Sequence, residues 1–315
     1  MNKINELKPG DESIIIEALI NRVVTGKTNG ANRSTYLSIT LQDTTGSIDA
    51  KLWNATNEQV ETLVMGSVVQ VKGDVIKYNE DRQIKIIKIH VASSDPNEQV
   101  KYLKSAPKTG EELIKDIKAY INRIDNLKLN QLVKALFDEH LEKLKIYPAA
   151  SKNHHEYVSG LAHHTLCMLK IADALCTLYP SLNKDLLFSG IALHDLGKTI
   201  ELSGPVVPEY TIEGKLLGHI SIAQAMVLEA SKTLNIEGEE VILLQHMILS
   251  HHGKNEYGSP VLPQIREAEI VYLIDNIDAR INMFDKALEN VELGDYSKRI
   301  YALENRTIYK PKMYE

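Results

Sequence analysis

The histidines of this chain are unevenly spread: nine of the eleven lie between His154 and His252. Imidazole is a frequent transition-metal ligand and the side chain most easily charged near neutral pH. The clearest element is Ile191-Ala192-Leu193-His194-Asp195-Leu196-Gly197-Lys198, where an apolar run ends in an imidazole beside a carboxylate. A carboxylate in such a place is costly unless it is paired or bound to a cation. Similar interruptions recur at Gly160-Leu161-Ala162-His163-His164-Thr165, Gly218-His219, Leu249-Ser250-His251-His252-Gly253 and Ile270-Val271-Tyr272-Leu273-Ile274-Asp275-Asn276-Ile277-Asp278. Helices of a bundle can converge inward polar groups of this kind on one site.

Mixed imidazole and carboxylate donors suit Mn²⁺, Fe²⁺, Co²⁺ or Zn²⁺ better than Mg²⁺, which prefers oxygen. Such an ion lowers the pKa of bound water and neutralises charge developing on phosphoryl oxygens. Lys198, one turn after His194, reads either as a cation for a nonbridging or leaving-group oxygen, or as a plain charge at a helix C-terminus. His154 and His155 fall in a polar stretch and read as solvent-exposed, while His90 and His140 have no evident partner.

The order His, His-Asp, His, His-His, Asp over residues 150–285 resembles the HD-domain phosphohydrolase superfamily. With the β-rich region before it, the whole chain resembles the YhaM-type 3′→5′ exoribonucleases, which join an OB-fold to an HD domain. The resemblance implies two divalent ions, with manganese the first expectation and iron, cobalt or zinc the alternatives. His164, His194, Asp195 and Asp275 would hold the first ion. Asp195 would bridge to a second, held by His219, His251 and His252. His164 is preferred to His163 because the family's ligand precedes Ser or Thr, and Asp278 is the alternative to Asp275. His163 and His246 would be supporting or packing residues. Asp195 and, from its position one turn after His194, Lys198 are the candidate catalytic residues. The implied reaction is 3′→5′ hydrolysis of single-stranded RNA to 5′-mononucleotides, with single-stranded DNA an open second substrate. Polarity and exonucleolytic character come from the resemblance alone.

The elements that carry these groups divide by periodicity. Residues 12–92 read as strands, and 111–146 and 156–290 as helices. Five strands are expected at Ser13–Val24, Tyr36–Gln42, Ser47–Leu52, Ser67–Ile76 and Gln83–Val91. Asp43-Thr44-Thr45-Gly46 supplies a hairpin turn, and Asn57–Met65 a short helix between the third and fourth strands. That layout is the one of an OB-fold barrel. The expected architecture is therefore multi-domain: an N-terminal all-β OB-fold barrel at 1–95, a linker and helical region at 96–150, a C-terminal all-α HD-domain helical bundle at 151–290 and a tail at 291–315.

OB-folds grip single strands by stacking bases on aromatics beside a basic groove. The candidates are Tyr36, Trp53 and Tyr78 with Lys72, Lys77, Arg82, Lys85 and Lys88. Taken singly, Trp53 reads equally as core and each cation as an ordinary solvated face. The tail mixes Lys298, Arg299, Tyr301, Arg306, Tyr309, Lys310, Lys312 and Tyr314, which fits a strand-binding surface, a docked terminal segment or a subunit contact.

Bulk properties narrow the classes. The 315 residues carry a net charge of −6, which argues against a dedicated duplex-DNA binder. The 43% hydrophobic and 25% charged content is that of a chain with a proper core. No apolar run is long enough to span a bilayer, and Cys167 and Cys176 read as reduced thiols of a cytoplasmic protein. A homo-oligomer stays open. Two other functions compete: an HD phosphohydrolase of a small nucleotide or cyclic dinucleotide, and a non-enzymatic single-strand DNA-binding protein.

Overall fold

The computed structural model describes residues 1–29, 33–79, 81–150, 157–206 and 208–314. His154 and His155 lie outside the described residues. Among the described residues the chain divides into two compact units, one holding residues 1–105 with 205 and 206, and the other residues 106–204 and 208–314.

The first unit is a closed barrel with strand order β1-β2-β3-β5-β4: β1 Ile14–Lys27, β2 Thr35–Asp43, β3 Gly46–Trp53, β4 Val68–Tyr78 and β5 Asp81–Ser93. Neighbouring strands are antiparallel except β3 and β5, which run parallel through Asp49↔Gln83 and Lys51↔Lys85. Alternation decides the faces. Leu37, Ile39 and Leu41 of β2 point into the barrel with Ile48, Ala50 and Leu52 of β3, leaving Tyr36, Lys51 and Trp53 on the outer face. β1 continues past the expected end at Val24, because its second half leaves β4 and pairs with β2 as far as Lys27↔Thr35. The expected turn forms: Asp43 Oδ1 accepts from the Thr45 amide at 2.7 Å, and Oδ2 from the Ile4 amide at 3.0 Å. Helix α1, Asn57–Thr62, starts in a capping box between Thr56 and Gln59. It stops three residues before the expected Met65, and Leu63 caps it with its side chain buried.

After the short α2, Pro96–Gln99, the second unit is helical: α3 Gly110–Ile121, α4 Leu127–Glu139, α5 Leu141–Leu144, α6 Gly160–Leu178, α7 Lys184–Leu193, α8 Lys198–Glu201, α9 Ile212–Thr233, α10 Glu239–Ser250 and α11 Arg266–Leu288. Residues of α3 and α4 share its core, with Leu113, Ile117, Leu132 and Phe137 packed in one cluster with Phe188 and Leu244. Helix α7 is the centre. Every residue from Leu186 to Leu193 is buried, and the helix touches α3, α4, α6, α10 and α11. A helix that is apolar all round has to be interior, and each fully buried Leu or Phe contributes about 1.5–3 kcal/mol. The end of α7 therefore delivers His194 and Asp195 to the middle of the unit. Among the described residues, no helix is long and apolar enough to cross a membrane.

The tail folds back on the end of α11. Arg280 makes a two-point pair with Glu304 at 2.7 and 3.1 Å, and Lys310 Nζ donates to the carbonyls of Leu288 and Val291. It is a docked terminal segment. Cys167 and Cys176 are free thiols, each partly buried.

Candidate metal centre

Seven side chains from five parts of the second unit converge. His164 comes from the first turns of α6, His194 caps α7, and Asp195 lies in the turn before α8. His219 follows a kink in α9, His251 and His252 follow α10, and Asp275 lies mid-way along α11. His164, His194 and Asp195 form one group able to hold a metal, and His219, His251 and His252 form another. Asp275 Oδ1 joins the first, 3.2 Å from His164 Nε2.

Asp195 divides its oxygens between the two groups. Its Oδ2 lies 3.2 Å from His194 Nε2 and 3.9 Å from His164 Nε2. Its Oδ1 lies 3.5 Å from His219 Nε2 and 3.7 Å from His251 Nε2. A carboxylate in this position can bridge two cations.

The imidazoles are all turned the same way. His194 Nδ1–H donates to the Ile191 carbonyl at 2.8 Å, His251 Nδ1–H to the Ile248 carbonyl at 2.7 Å, and His252 Nδ1–H to the Tyr257 carbonyl at 2.8 Å. His219 Nδ1 is 3.0 Å from Glu201 Oε1, and His164 Nδ1 is 2.6 Å from Asp278 Oδ2. Fixing Nδ1 fixes the tautomer and leaves Nε2 as the donor atom, which is the arrangement metal-binding histidines adopt. Asp195 Oδ1, His219 Nε2 and His251 Nε2 are buried with no hydrogen-bond partner. Buried polar atoms of that kind are expensive, and three of them facing one another fit a cation. The donor set therefore fits a divalent metal.

The electrostatics agree. Burial opposes charging His164, but its hydrogen bonds to Asp275 and Asp278 outweigh burial, and the imidazole is pushed up to about 10. Burial likewise opposes the charge on Asp275, yet hydrogen bonding to His164 holds it below the usual carboxylate range. Asp195 is also held well below it against burial, chiefly by Lys198 and His194. Burial pushes His251 down, and burial with the neighbouring His251 pushes His252 down to about 4, so both rings are neutral near pH 7.

Lys198 is buried, with Nζ 2.7 Å from Asp195 Oδ2. It opens the short helix α8 and is not an exposed charge at a helix C-terminus. His163 faces elsewhere, with Nδ1 2.6 Å from the Tyr157 hydroxyl and Nε2 3.7 Å from Cys167 Sγ. His246 Nε2 accepts from the Gln264 amide at 2.9 Å. His140 does have a partner, which corrects the sequence reading: its Nδ1 lies 2.9 Å from Thr199 Oγ1, joined by a fold-back invisible in sequence.

Two glycines are required by geometry. A Cβ on Gly197 would come within 2.1 Å of the His219 carbonyl, so only glycine lets the two backbones meet. Gly218 has φ +72°, a left-handed kink inside α9 that re-aims the chain into His219. Glu201, which the sequence reading missed, accepts from both the His219 amide and its Nδ1, each at 3.0 Å.

On the barrel, Tyr36 and Trp53 are register partners with ring centroids 5.3 Å apart. Lys51, also missed, lies over both rings at 4.4 and 4.7 Å. Its place two residues before Trp53 in a strand was the available signal. Lys85 is the register partner of Lys51 on β5. Lys72 and Lys88 oppose each other on the β4–β5 ladder, and Lys77 and Tyr78 end that hairpin, with Lys77 opposite Arg82. Arg82 donates to the Leu7 carbonyl at 2.8 Å and so ties down the N-terminal segment.

Comparison with known proteins follows the same division. Residues 16–92 match the family described as OB-fold nucleic acid binding domain, and residues 161–280 match the HD domain family. A barrel of this type joined to an HD unit with its histidines and aspartates converged defines a metal-dependent hydrolase with an OB-fold. The second OB-fold domain of replication protein A from Methanococcus maripaludis is similar at 25% identity over 30% of this chain and 96% of its own, with a TM-score of 0.27. Two relatives span nearly the whole chain, both named 3'-5' exoribonuclease YhaM. One, from Geobacillus sp. (strain WCH70), is 48% identical over 95% of this chain and 92% of its own. The other, from Halalkalibacterium halodurans, is 47% identical over 92% of this chain and 91% of its own. The chain belongs to the family of YhaM 3'-5' exoribonucleases.

Proposed function

We propose that this protein is a 3′→5′ exoribonuclease that hydrolyses single-stranded RNA to 5′-mononucleotides in the cytoplasm, with two divalent ions in the site. The observation that carries this reading is the divided carboxylate of Asp195, with its Oδ1 orphaned beside His219 Nε2 and His251 Nε2. His164, His194, Asp195 and Asp275 would hold one ion; Asp195, His219, His251 and His252 would hold the other. Manganese suits this donor set, with iron, cobalt or zinc as substitutes. When bound, such ions acidify water and neutralise phosphate charge.

The chain's own groups do the rest. Hydrolysis leaves the 5′-phosphate on the terminal nucleotide and expels the 3′ oxygen of the preceding one. Lys198, buried against Asp195, supplies a fixed positive charge to a nonbridging or leaving-group oxygen. Asp278 and the Ile191 carbonyl keep His164 and His194 aimed inward. On the barrel, Tyr36, Trp53 and Lys51 offer bases a stacking surface beside a cation, with Lys85 adjacent. The polarity and the RNA substrate rest on the relatives' activity.

The test is a full-length protein carrying His194→Ala and Asp195→Ala. Hydrolysis should vanish while binding of a single-stranded RNA persists. Loss of binding together with hydrolysis would point to a structural metal instead.

A further inference from the structure

We infer that Glu201 is the positioning residue that decides whether the second ion binds, an assignment that rests on the two-ion reading above. The two groups of ligands differ in how they are charged. The first contains Asp275 and is backed by Asp278, which faces His164 Nδ1. The second contains three imidazoles and shares only Asp195. Two of its rings are fixed by neutral backbone carbonyls, those of Ile248 and Tyr257. The third, His219, is fixed by a carboxylate.

Glu201 holds His219 from two directions. Its Oε1 accepts from the His219 amide and from the ring Nδ1, each at 3.0 Å, so main chain and imidazole are set together. Its own carbonyl accepts from the Thr211 amide at 2.9 Å, which fastens the end of α8 to the start of α9. The His219 amide that Glu201 holds lies immediately after the kink at Gly218. Glu201 is itself buried, with 8% of its surface exposed, and its charge is held by His219. An anion on Nδ1 raises the basicity of Nε2 and fixes its direction, and loss of such a partner typically weakens a metal site about 10–100-fold. Glu201 hydrogen-bonds His219 and neither His164 nor His194, so its loss acts first on the second group.

The experiment is a titration of the metal-free full-length protein with Mn²⁺ by calorimetry, for wild type, Glu201→Gln and Glu201→Ala. Wild type should bind two ions. Both variants should keep the first ion at wild-type affinity. Glu201→Gln, which retains an acceptor without the charge, should weaken the second about 10-fold, and Glu201→Ala closer to 100-fold. The Mn²⁺ concentration for half-maximal hydrolysis should rise by the same factors. Thermal unfolding of the metal-free variants identifies any that have lost the fold, and Glu201→Gln, which keeps both acceptor contacts, is the decisive one. A two-ion wild type with an equally tight second site in a folded Glu201→Gln overturns the role of Glu201 alone. A wild type that binds a single ion overturns the two-ion reading and this assignment with it.

Discussion

The ammonium of Lys198 lies 2.7 Å from Oδ2 of Asp195, the oxygen that also faces His194. Lys198 thus competes with a metal for that carboxylate, and in the proposed reaction it would meet the phosphoryl oxygens. Lys198→Met keeps the buried stem and removes the charge. The expected outcome is a fall in kcat of about 10²–10³-fold. Metal affinity should be equal or tighter, because a competitor is gone. Steady-state kinetics beside a Mn²⁺ titration would read both, and an unchanged kcat would remove Lys198 from the reaction.

Asp275 and Asp278 lie one turn apart on α11 and meet opposite nitrogens of His164, Nε2 and Nδ1. Their variants should therefore differ. Asp278→Asn should weaken the first ion about 10–100-fold through His164. Asp275→Asn should lose it and hydrolysis together. Equal losses would mean that both carboxylates are ligands.

His164 is held protonated up to about pH 10 by its two aspartates, so an ion entering the first group must displace a proton. Its folded-state pKa lies above the ordinary value, so the charged form prevails below 10 and resists metal more strongly as pH falls. Affinity for the first ion should rise about tenfold per unit between about pH 7 and 9, with close to one proton released. His251 and His252 are pushed down and need no deprotonation there. Calorimetry in buffers of different ionisation enthalpy measures the release, and a flat profile would contradict it.

Gly197 and the barrel give three further predictions. Gly197→Ala forces a Cβ to within 2.1 Å of the His219 carbonyl, a backbone atom that cannot move aside cheaply. It should cost about 1–3 kcal/mol in denaturant melts and weaken the second ion. Trp53→Ala should weaken single-stranded RNA binding by about 1–3 kcal/mol without touching metal affinity. Arg82→Ala should lower stability and leave binding near wild type, since its guanidinium is spent on the Leu7 carbonyl. An Arg82→Ala protein with lost RNA binding would reverse that assignment.

Much of the fold was legible because strand and helix periods differ. Period-two alternation at Leu37, Ile39 and Leu41 marked β2, and the apolar stretch Ile191-Ala192-Leu193 marked a helix running into His194 and Asp195. Resemblance singled out seven side chains that the fold does bring together. The residues around them were not legible. Glu201 and His219 are 18 positions apart and meet across the Leu202↔Tyr210 bridge and the kink at Gly218. His140 and Thr199 are 59 apart. Asp275 and Asp278 share one helix face, and sequence cannot say which nitrogen each reaches. Lys51 was legible in principle, but lysine on an outer strand face is ordinary until the two rings beneath it are seen.

The proposed reaction is metal-dependent removal of nucleotides from the 3′ end of RNA. Its most direct test is a time course on a single-stranded RNA labelled at its 5′ end, with Mn²⁺ and with chelator. A 3′→5′ exoribonuclease with this site gives a descending ladder of labelled fragments that appears only with metal. Absence of RNA cleavage with every one of Mn²⁺, Fe²⁺, Co²⁺ and Zn²⁺ would contradict it, and would leave a small nucleotide as the substrate to try next.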